Sequence, residues 1–198
     1  TSRAVVESSV YDQFVEKVAE RVAKIVVGHG LDPNSTMGPV CGEAQRRDIL
    51  HYIEIGQKEG ARLVAGGKQI CENGMDKGCF IQPTVFADVT PDMTIAREEI
   101  FGPVLVILKA RDFDEAIHIA NDIEFGLSSS VFTSSISKAL TFVEKTEVGL
   151  THVNMPSAHK EPQLSFGGIK HSGTGLPEAG KTGIEFFTQH KVVYIKYR

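Results

Sequence analysis

Cysteine is scarce in this 198-residue chain, which carries only Cys41, Cys71 and Cys79. Under any disulfide scheme one thiol is left over, and no spacing matches a metal knuckle. The seven histidines show no paired ligand spacing, so no metal is expected. Positive charge is not in excess. With 21 Lys and Arg against 25 Asp and Glu, the net charge of -4 has the wrong sign for a nucleic-acid surface. Apolar runs are all far too short to cross a bilayer, which argues against a membrane span. No signal-peptide pattern, no repeat of 20–50 residues and no low-complexity linker is visible. The composition is that of an ordinary globular protein, 41% hydrophobic and 23% charged. The length fits one domain, or one domain with an extension, around a sizeable core.

Periodicity orders the elements. Tyr11, Phe14, Val15, Val18, Val22 and Ile25 fall on one helical face, with Ser9 and Asp12 placed for a capping box and Gly28 and Gly30 as stops. A second helix is expected from about Ala44 to Glu59, with Leu50 and Ile53 inward. Arg62–Ala65 reads as a short strand closed by Gly66-Gly67. A polar loop or hairpin from Lys68 to Lys77 then precedes a β-rich run, Phe80 to Phe86. Val104 to Leu108 is a wholly apolar strand. Asp112 and Glu115 make a capping box for a helix through Phe113, Ala116, Ile117 and Ala120. Val131-Phe132 is the next strand, Ile136, Ala139, Leu140 and Val143 the next helical face, and Leu150 to Asn154 the strand after it. Strands alternating with helices of ten to fifteen residues predict an α/β fold, a parallel Rossmann-like sheet covered by helices on both faces.

The most informative stretch is Arg97-Glu98-Glu99-Ile100-Phe101-Gly102-Pro103-Val104. Two carboxylates lead into an aromatic, and a Gly-Pro corner opens a buried strand. Charge held beside a buried strand is costly unless something receives it, so the site is a candidate ligand contact. A Glu at the mouth of a parallel strand can accept two ribose hydroxyl hydrogen bonds, and a neighbouring Phe can lie against a flat ring. The alternative is a turn with two solvated acids and Phe101 in the core.

This octapeptide closely resembles the nicotinamide-ribose motif of the aldehyde dehydrogenases. Further segments resemble the same family in the same order: Thr1-Ser2-Arg3, Met37-Gly38-Pro39, Glu59-Gly60-Ala61 with Gly66-Gly67, and Phe80-Ile81-Gln82-Pro83-Thr84-Val85. Asn121 with Phe125-Gly126-Leu127, Val131-Phe132-Thr133, Gly149 with Val153-Asn154, and Phe166-Gly167-Gly168-Ile169-Lys170 with Ser172-Gly173 complete the set. The resemblance implies that the nucleophilic cysteine lies just upstream of Thr1, with the general-base Glu further upstream still. Residues 1–187 then form the catalytic-domain portion without its nucleophile segment, and residues 188–198 a C-terminal oligomerisation tail. The implied activity is oxidation of an aldehyde to a carboxylic acid through a cysteine thiohemiacetal, with NAD or NADP as cofactor. The dinucleotide phosphates would be held by an N-terminal domain outside this chain, and the family implies a cytoplasmic location.

By the same resemblance Glu99 holds the nicotinamide ribose, Phe101 limits where the nicotinamide moves, and Leu127 packs near its ring. Asn154 sits near the thiohemiacetal in a supporting role, and Phe166 lies near the aldehyde chain. Each has an ordinary alternative: Asn154 satisfying its own turn, Leu127 and Phe166 as core residues, Glu98 as a solvated neighbour. Met155 to Glu161 is expected to be the substrate-facing loop. It resembles the semialdehyde-oxidising branch, and His159 or Lys160 could meet an anionic substrate end. The equal alternative is a solvated loop, which leaves the substrate open. Ser165 departs from the family, which usually has Pro before Phe-Gly-Gly, and the change frees the loop and adds a backbone donor. Gly173-Thr-Gly175 begins a GxGxxG pattern but Glu178 stands at the third glycine. Gly168 and Gly173 have P-loop spacing but Thr174 stands where Lys is required. These glycines read instead as tight backbone turns. Cys41, near a helix start, could have a lowered thiol pKa, although an isolated Cys is usually a small buried apolar residue.

The tail Val192-Val193-Tyr194-Ile195-Lys196-Tyr197 is strongly β-forming and would be an unprotected edge. The resemblance implies that it pairs with a sheet in another subunit of a homo-oligomer. The alternative is return to its own sheet. Two rival functions remain at this level: a stand-alone, non-catalytic domain for binding and oligomerisation, and a related reductase of acyl phosphates or thioesters.

Overall fold

All 198 residues are described by a computed structural model. The chain divides into two compact units, Thr1–Asp122 and Ile123–Arg198.

The first unit is a four-stranded sheet in the order β1-β4-β3-β2, made of β1 (Arg3–Glu7), β2 (Arg62–Ala65), β3 (Thr84–Val89) and β4 (Val104–Ala110). Strands β1 and β3 flank β4 in parallel, with Arg3 opposite Val106 and Thr84 opposite Val104. Only β2 runs antiparallel, at the edge. The apolar run of β4 is explained by burial on both faces. Phe86, Val106 and Leu108 meet Ile49 and Ile53 of α2 (Glu43–Lys58), Ile95 of α3 (Thr94–Arg97) and Ile119 of α4 (Phe113–Asn121). Val85, Ala87 and Ile107 point the opposite way, toward Val6 and toward Tyr11 and Val15 of α1 (Tyr11–Val22). This period-two division is the strand's own geometry. Each fully buried Ile, Phe or Val adds about 1.5–3 kcal/mol of apolar transfer.

The second unit is smaller. β6 (Ser128–Val131) and β7 (Leu150–Val153) pair in parallel, joined through α5 (Ile136–Lys145) as a strand-helix-strand unit. β5 (Phe125–Gly126) and β8 (Ile169–Lys170) pair antiparallel, and α6 (Gly180–Phe187) is the last helix.

The alternating α/β reading therefore holds, but the single parallel sheet is replaced by a mixed four-stranded sheet and two separate strand pairs. Other local expectations also differ. Ser9 and Asp12 form no capping box, and Val10 is the N-cap with no side-chain bond. Ser8 donates from its N–H to the Ala110 carbonyl and from its hydroxyl to Arg111, extending the strand pairing, so the helix starts beyond Ser9. α1 ends at Val22 with Ala23 as its C-cap, before Gly28, whose N–H instead donates to the Met37 carbonyl in a loop closure. The run expected from Phe80 becomes a strand only at Thr84, because Pro83 has no N–H for a ladder. On α5, Ala139 and Phe142 are buried while Ile136, Leu140 and Val143 stay exposed. A two-stranded sheet is too narrow to cover a full apolar stripe. The Asp112–Glu115 capping box forms as expected: Asp112 accepts the Glu115 N–H at 3.0 Å, and Glu115 accepts the Arg111 N–H.

Residues 188–198 adopt neither helix nor strand, and Val192, Tyr194, Ile195 and Tyr197 are exposed. The tail does not return to a sheet of its own chain. No helix is long and apolar enough to cross a membrane.

Candidate functional site

In the first unit the Glu98–Pro103 turn is held from both sides. Before it, Glu59 accepts the N–H of Thr94 at 2.9 Å and its hydroxyl at 2.5 Å, which fixes the start of the one-turn helix α3. The chain then leaves the helix in an extended conformation at Glu98 (φ −99°, ψ 155°). Ile100 is buried in the core, and the Gln45 amide on α2 donates to the carbonyls of Ile100 (3.3 Å) and Phe101 (2.7 Å). Phe101 has φ +53°, a left-handed conformation costing an aromatic residue about 1–3 kcal/mol. The Gln45 clamp and the buried Ile100 oppose that cost.

With Ile100 anchored inward, its neighbours face out. Phe101 is 74% exposed. The Glu99 carboxylate is exposed and makes no hydrogen bond or ion pair within the chain. Glu98 is not merely solvated, since it accepts the Tyr52 hydroxyl at 2.7 Å. That hydrogen bond, followed by burial, raises the Tyr52 phenol above its ordinary pKa. The two carboxylates are thus distinguished: Glu98 belongs to the scaffold and Glu99 is available. A free carboxylate can accept both hydroxyls of a vicinal diol, and an exposed flat ring beside it suits a planar heterocycle. The residues present fit a nicotinamide riboside.

In the second unit Leu127, between β5 and β6, is 42% exposed rather than core. Asn154 follows β7 with φ +56°, and its carboxamide is committed twice to one residue. Oδ1 accepts the Thr133 N–H at 2.8 Å and Nδ2 donates to the Thr133 carbonyl at 2.9 Å. One N–H of the amide remains uncommitted. The loop after Asn154 is tied down by His152, buried in β7, whose ring nitrogens lie 3.0 Å from the carbonyls of Ser129 and His159. His159 in turn places Nε2 3.2 Å from Glu161. Phe166 pairs through its backbone with Glu178 and carries the Lys160 ammonium 4.3 Å above its ring centroid. At Ser165 the hydroxyl accepts from Thr182 of α6 at 2.9 Å, a side-chain tie where the family's Pro would restrict the backbone.

Gly168 and Gly173 pack backbone to backbone. A Cβ on Gly173 would fall 2.6 Å from the Gly168 carbonyl, which suits a tight turn. Cys41 and Cys71 are exposed and Cys79 half-buried, and none is paired. Nowhere do three or more His, Cys, Asp or Glu side chains gather as a metal site. Gln45, Tyr52 and His152 carry no local motif in the sequence. Their contributions depend on contacts across 55, 46 and 23 residues.

Residues 1–193 match the family model described as the aldehyde dehydrogenase family. The chain belongs to the aldehyde dehydrogenase family. It is 42% identical over 196 residues to alpha-ketoglutaric semialdehyde dehydrogenase of Bacillus subtilis, covering 99% of this chain and 40% of that protein. Betaine aldehyde dehydrogenase of Brucella anthropi is 44% identical over 195 residues, with 98% and 40% covered. Among solved structures, betaine aldehyde dehydrogenase of Staphylococcus aureus in complex with NAD+ superposes with a TM-score of 0.90 at 35% identity, covering 94% of this chain and 37% of the other. The chain thus spans about two fifths of the length of the aldehyde dehydrogenases it matches.

Proposed function

We propose that this chain is the C-terminal part of an NAD(P)-dependent aldehyde dehydrogenase, supplying the ribose anchor, part of the aldehyde path and a subunit-joining tail. The carrying observation is the Glu99–Phe101 turn: an uncommitted carboxylate and an outward aromatic flank a buried Ile100. Residues 1–187 act as the catalytic-domain portion and 188–198 as the oligomerisation tail. The nucleophilic cysteine and general-base Glu belong to polypeptide upstream of Thr1, and the whole enzyme converts an aldehyde, a semialdehyde among the candidates, to a carboxylic acid in the cytoplasm.

NAD or NADP, when bound, supplies the hydride acceptor. This chain's residues hold and orient. Glu99 accepts the two hydroxyls of the nicotinamide ribose, and as a carboxylate it does so more strongly than an amide would. Phe101 restricts the ring by contact. In the second unit, taken by itself, Leu127 offers an exposed aliphatic side chain of the kind that packs near such a ring. Asn154 fixes the mouth of β7 through Thr133 and keeps one N–H for the reacting oxygen, the kind of donor that stabilises a tetrahedral intermediate. Phe166 and His159 border the aldehyde chain, with His159 held in place by His152 and Glu161. Relatives named for semialdehyde oxidation support this substrate reading.

The test uses the 198-residue chain alone and the same chain joined to the upstream part of its enzyme, each with NAD(P) and a panel of aldehydes. The chain alone should not reduce the nicotinamide and the joined protein should. Turnover by the chain alone in the usual enzyme range of roughly one to a thousand per second contradicts the assignment.

A further inference from the structure

Lys160 makes no ion pair within the chain and lies beside an aromatic ring. The two carboxylate oxygens of its neighbour Glu161 are already engaged, one by His159 Nε2 at 3.2 Å and the other by the Gln163 amide at 3.4 Å. No carboxylate of the chain pairs with the Lys160 ammonium, which sits instead 4.3 Å from the centroid of Phe166. The backbone under the ring is fixed by two reciprocal hydrogen bonds between Phe166 and Glu178, at 2.6 and 2.7 Å. The loop bearing the lysine is fixed by His152, buried in β7, through the His159 carbonyl. A cation held this way keeps its attraction for an external anion, because no carboxylate of the chain is in ion-pair contact with it.

We propose that Lys160 is a specificity-determining residue that receives a carboxylate at the far end of the aldehyde chain. This rests on the reading of Phe166 as bordering the aldehyde path. The ammonium stands 4.3 Å from the ring centroid, so an aldehyde that borders Phe166 and terminates in a carboxylate gains an ion pair there. A trimethylammonium aldehyde is disfavoured for two reasons. Recognition of a quaternary ammonium needs the open face of an aromatic ring, and Lys160 occupies one of the two faces of Phe166. The two like charges also repel. The loop thus selects an ω-oxo carboxylate over both its neutral and its cationic analogues.

The experiment compares 5-oxopentanoate, pentanal and betaine aldehyde as substrates of the whole enzyme and of its Lys160→Met and Lys160→Arg variants. Met keeps an unbranched stem over Phe166 and removes the charge. In the unsubstituted enzyme, KM for 5-oxopentanoate should lie below that for pentanal and should rise with salt, as a screened ion pair requires. Lys160→Met should raise KM for 5-oxopentanoate about tenfold with kcat little changed, leave pentanal unchanged, and improve betaine aldehyde. Lys160→Arg should restore most of the preference. Equal KM values for 5-oxopentanoate and pentanal, or a Met variant that shifts both alike, overturn the role of Lys160 while leaving aldehyde oxidation intact. If no aldehyde is oxidised by the whole enzyme, the underlying functional reading fails and takes this role with it.

Discussion

Gly102 lies so close to Ile49 that a Cβ on the glycine would stand 2.5 Å from both Cδ1 and Cγ1 of the isoleucine. Ile49 is completely buried on α2, so it has no open space to retreat into. This contact sets how closely the Glu99–Phe101 turn sits against the helix that also supplies Gln45 and Tyr52.

Gly102→Ala should therefore destabilise the chain by about 1–3 kcal/mol, the usual cost of overpacking a filled core. Ile49→Ala should cost about 2–5 kcal/mol by leaving a cavity. Together they should cost less than their sum, since each relieves the other. Denaturant unfolding of the four proteins measures this. Strict additivity contradicts the proposed contact.

The register break in β3 at Asp88 is held by a polar knot. The buried Tyr11 hydroxyl accepts the Asp88 N–H at 2.6 Å and donates to Asp88 Oδ1 at 3.0 Å, and Arg62 Nε donates to Oδ2 at 2.6 Å. The Arg62 hydrogen bond, with help from Tyr11, holds the Asp88 carboxyl below its ordinary value. A depressed folded-state pKa contributes stability that is present above the unfolded value of about 3.8 and lost as pH falls through the folded one. Asp88→Asn, which tolerates the positive φ at this site, should flatten the part of the stability profile just below pH 4. Unfolding midpoints between pH 2 and 6 for both proteins give the comparison. Identical profiles remove Asp88 from the acid response.

Much of this was legible in the sequence. The apolar run Val104–Leu108 marked the central strand because burial on both faces suppresses alternation. Asp112 and Glu115 announced their helix through a local hydrogen-bond pattern. Glu99 and Phe101 stood out because charge, aromatic and Gly-Pro corner occur together. What escaped reading depends on partners distant in the chain. Ser9 looked like a cap, but Ser8 used the preceding residues to extend the sheet to Ala110. The α5 pattern predicted a broad inner face that two short strands cannot cover. Glu98 and Glu99 are equivalent as letters, and only Tyr52, 46 residues away from Glu98, separates them. Similarly, sequence offered His159 and Lys160 equally for an anion, and Glu161 takes the first and leaves the second.

The tail offers a different test. Val192 to Tyr197 presents exposed apolar side chains and forms no strand with its own chain. Unpaired β-forming segments of this kind associate edge to edge. Deleting residues 192–198 should convert any dimer to monomer by light scattering while circular dichroism shows the α/β content retained. Outright unfolding would assign the segment to the chain's own core. Retained fold with unchanged mass would remove it as the joining contact.

The central claim is that Glu99 anchors the cofactor's nicotinamide ribose, and single-turnover hydride transfer in the whole enzyme tests it most directly. Glu99→Gln keeps size and polarity but replaces a charge-assisted acceptor with a neutral one, a loss of about 1 kcal/mol or more. Nicotinamide reduction in a single turnover, with cofactor and aldehyde saturating, should slow by roughly fivefold or more. An unchanged single-turnover rate in Glu99→Gln would contradict the account.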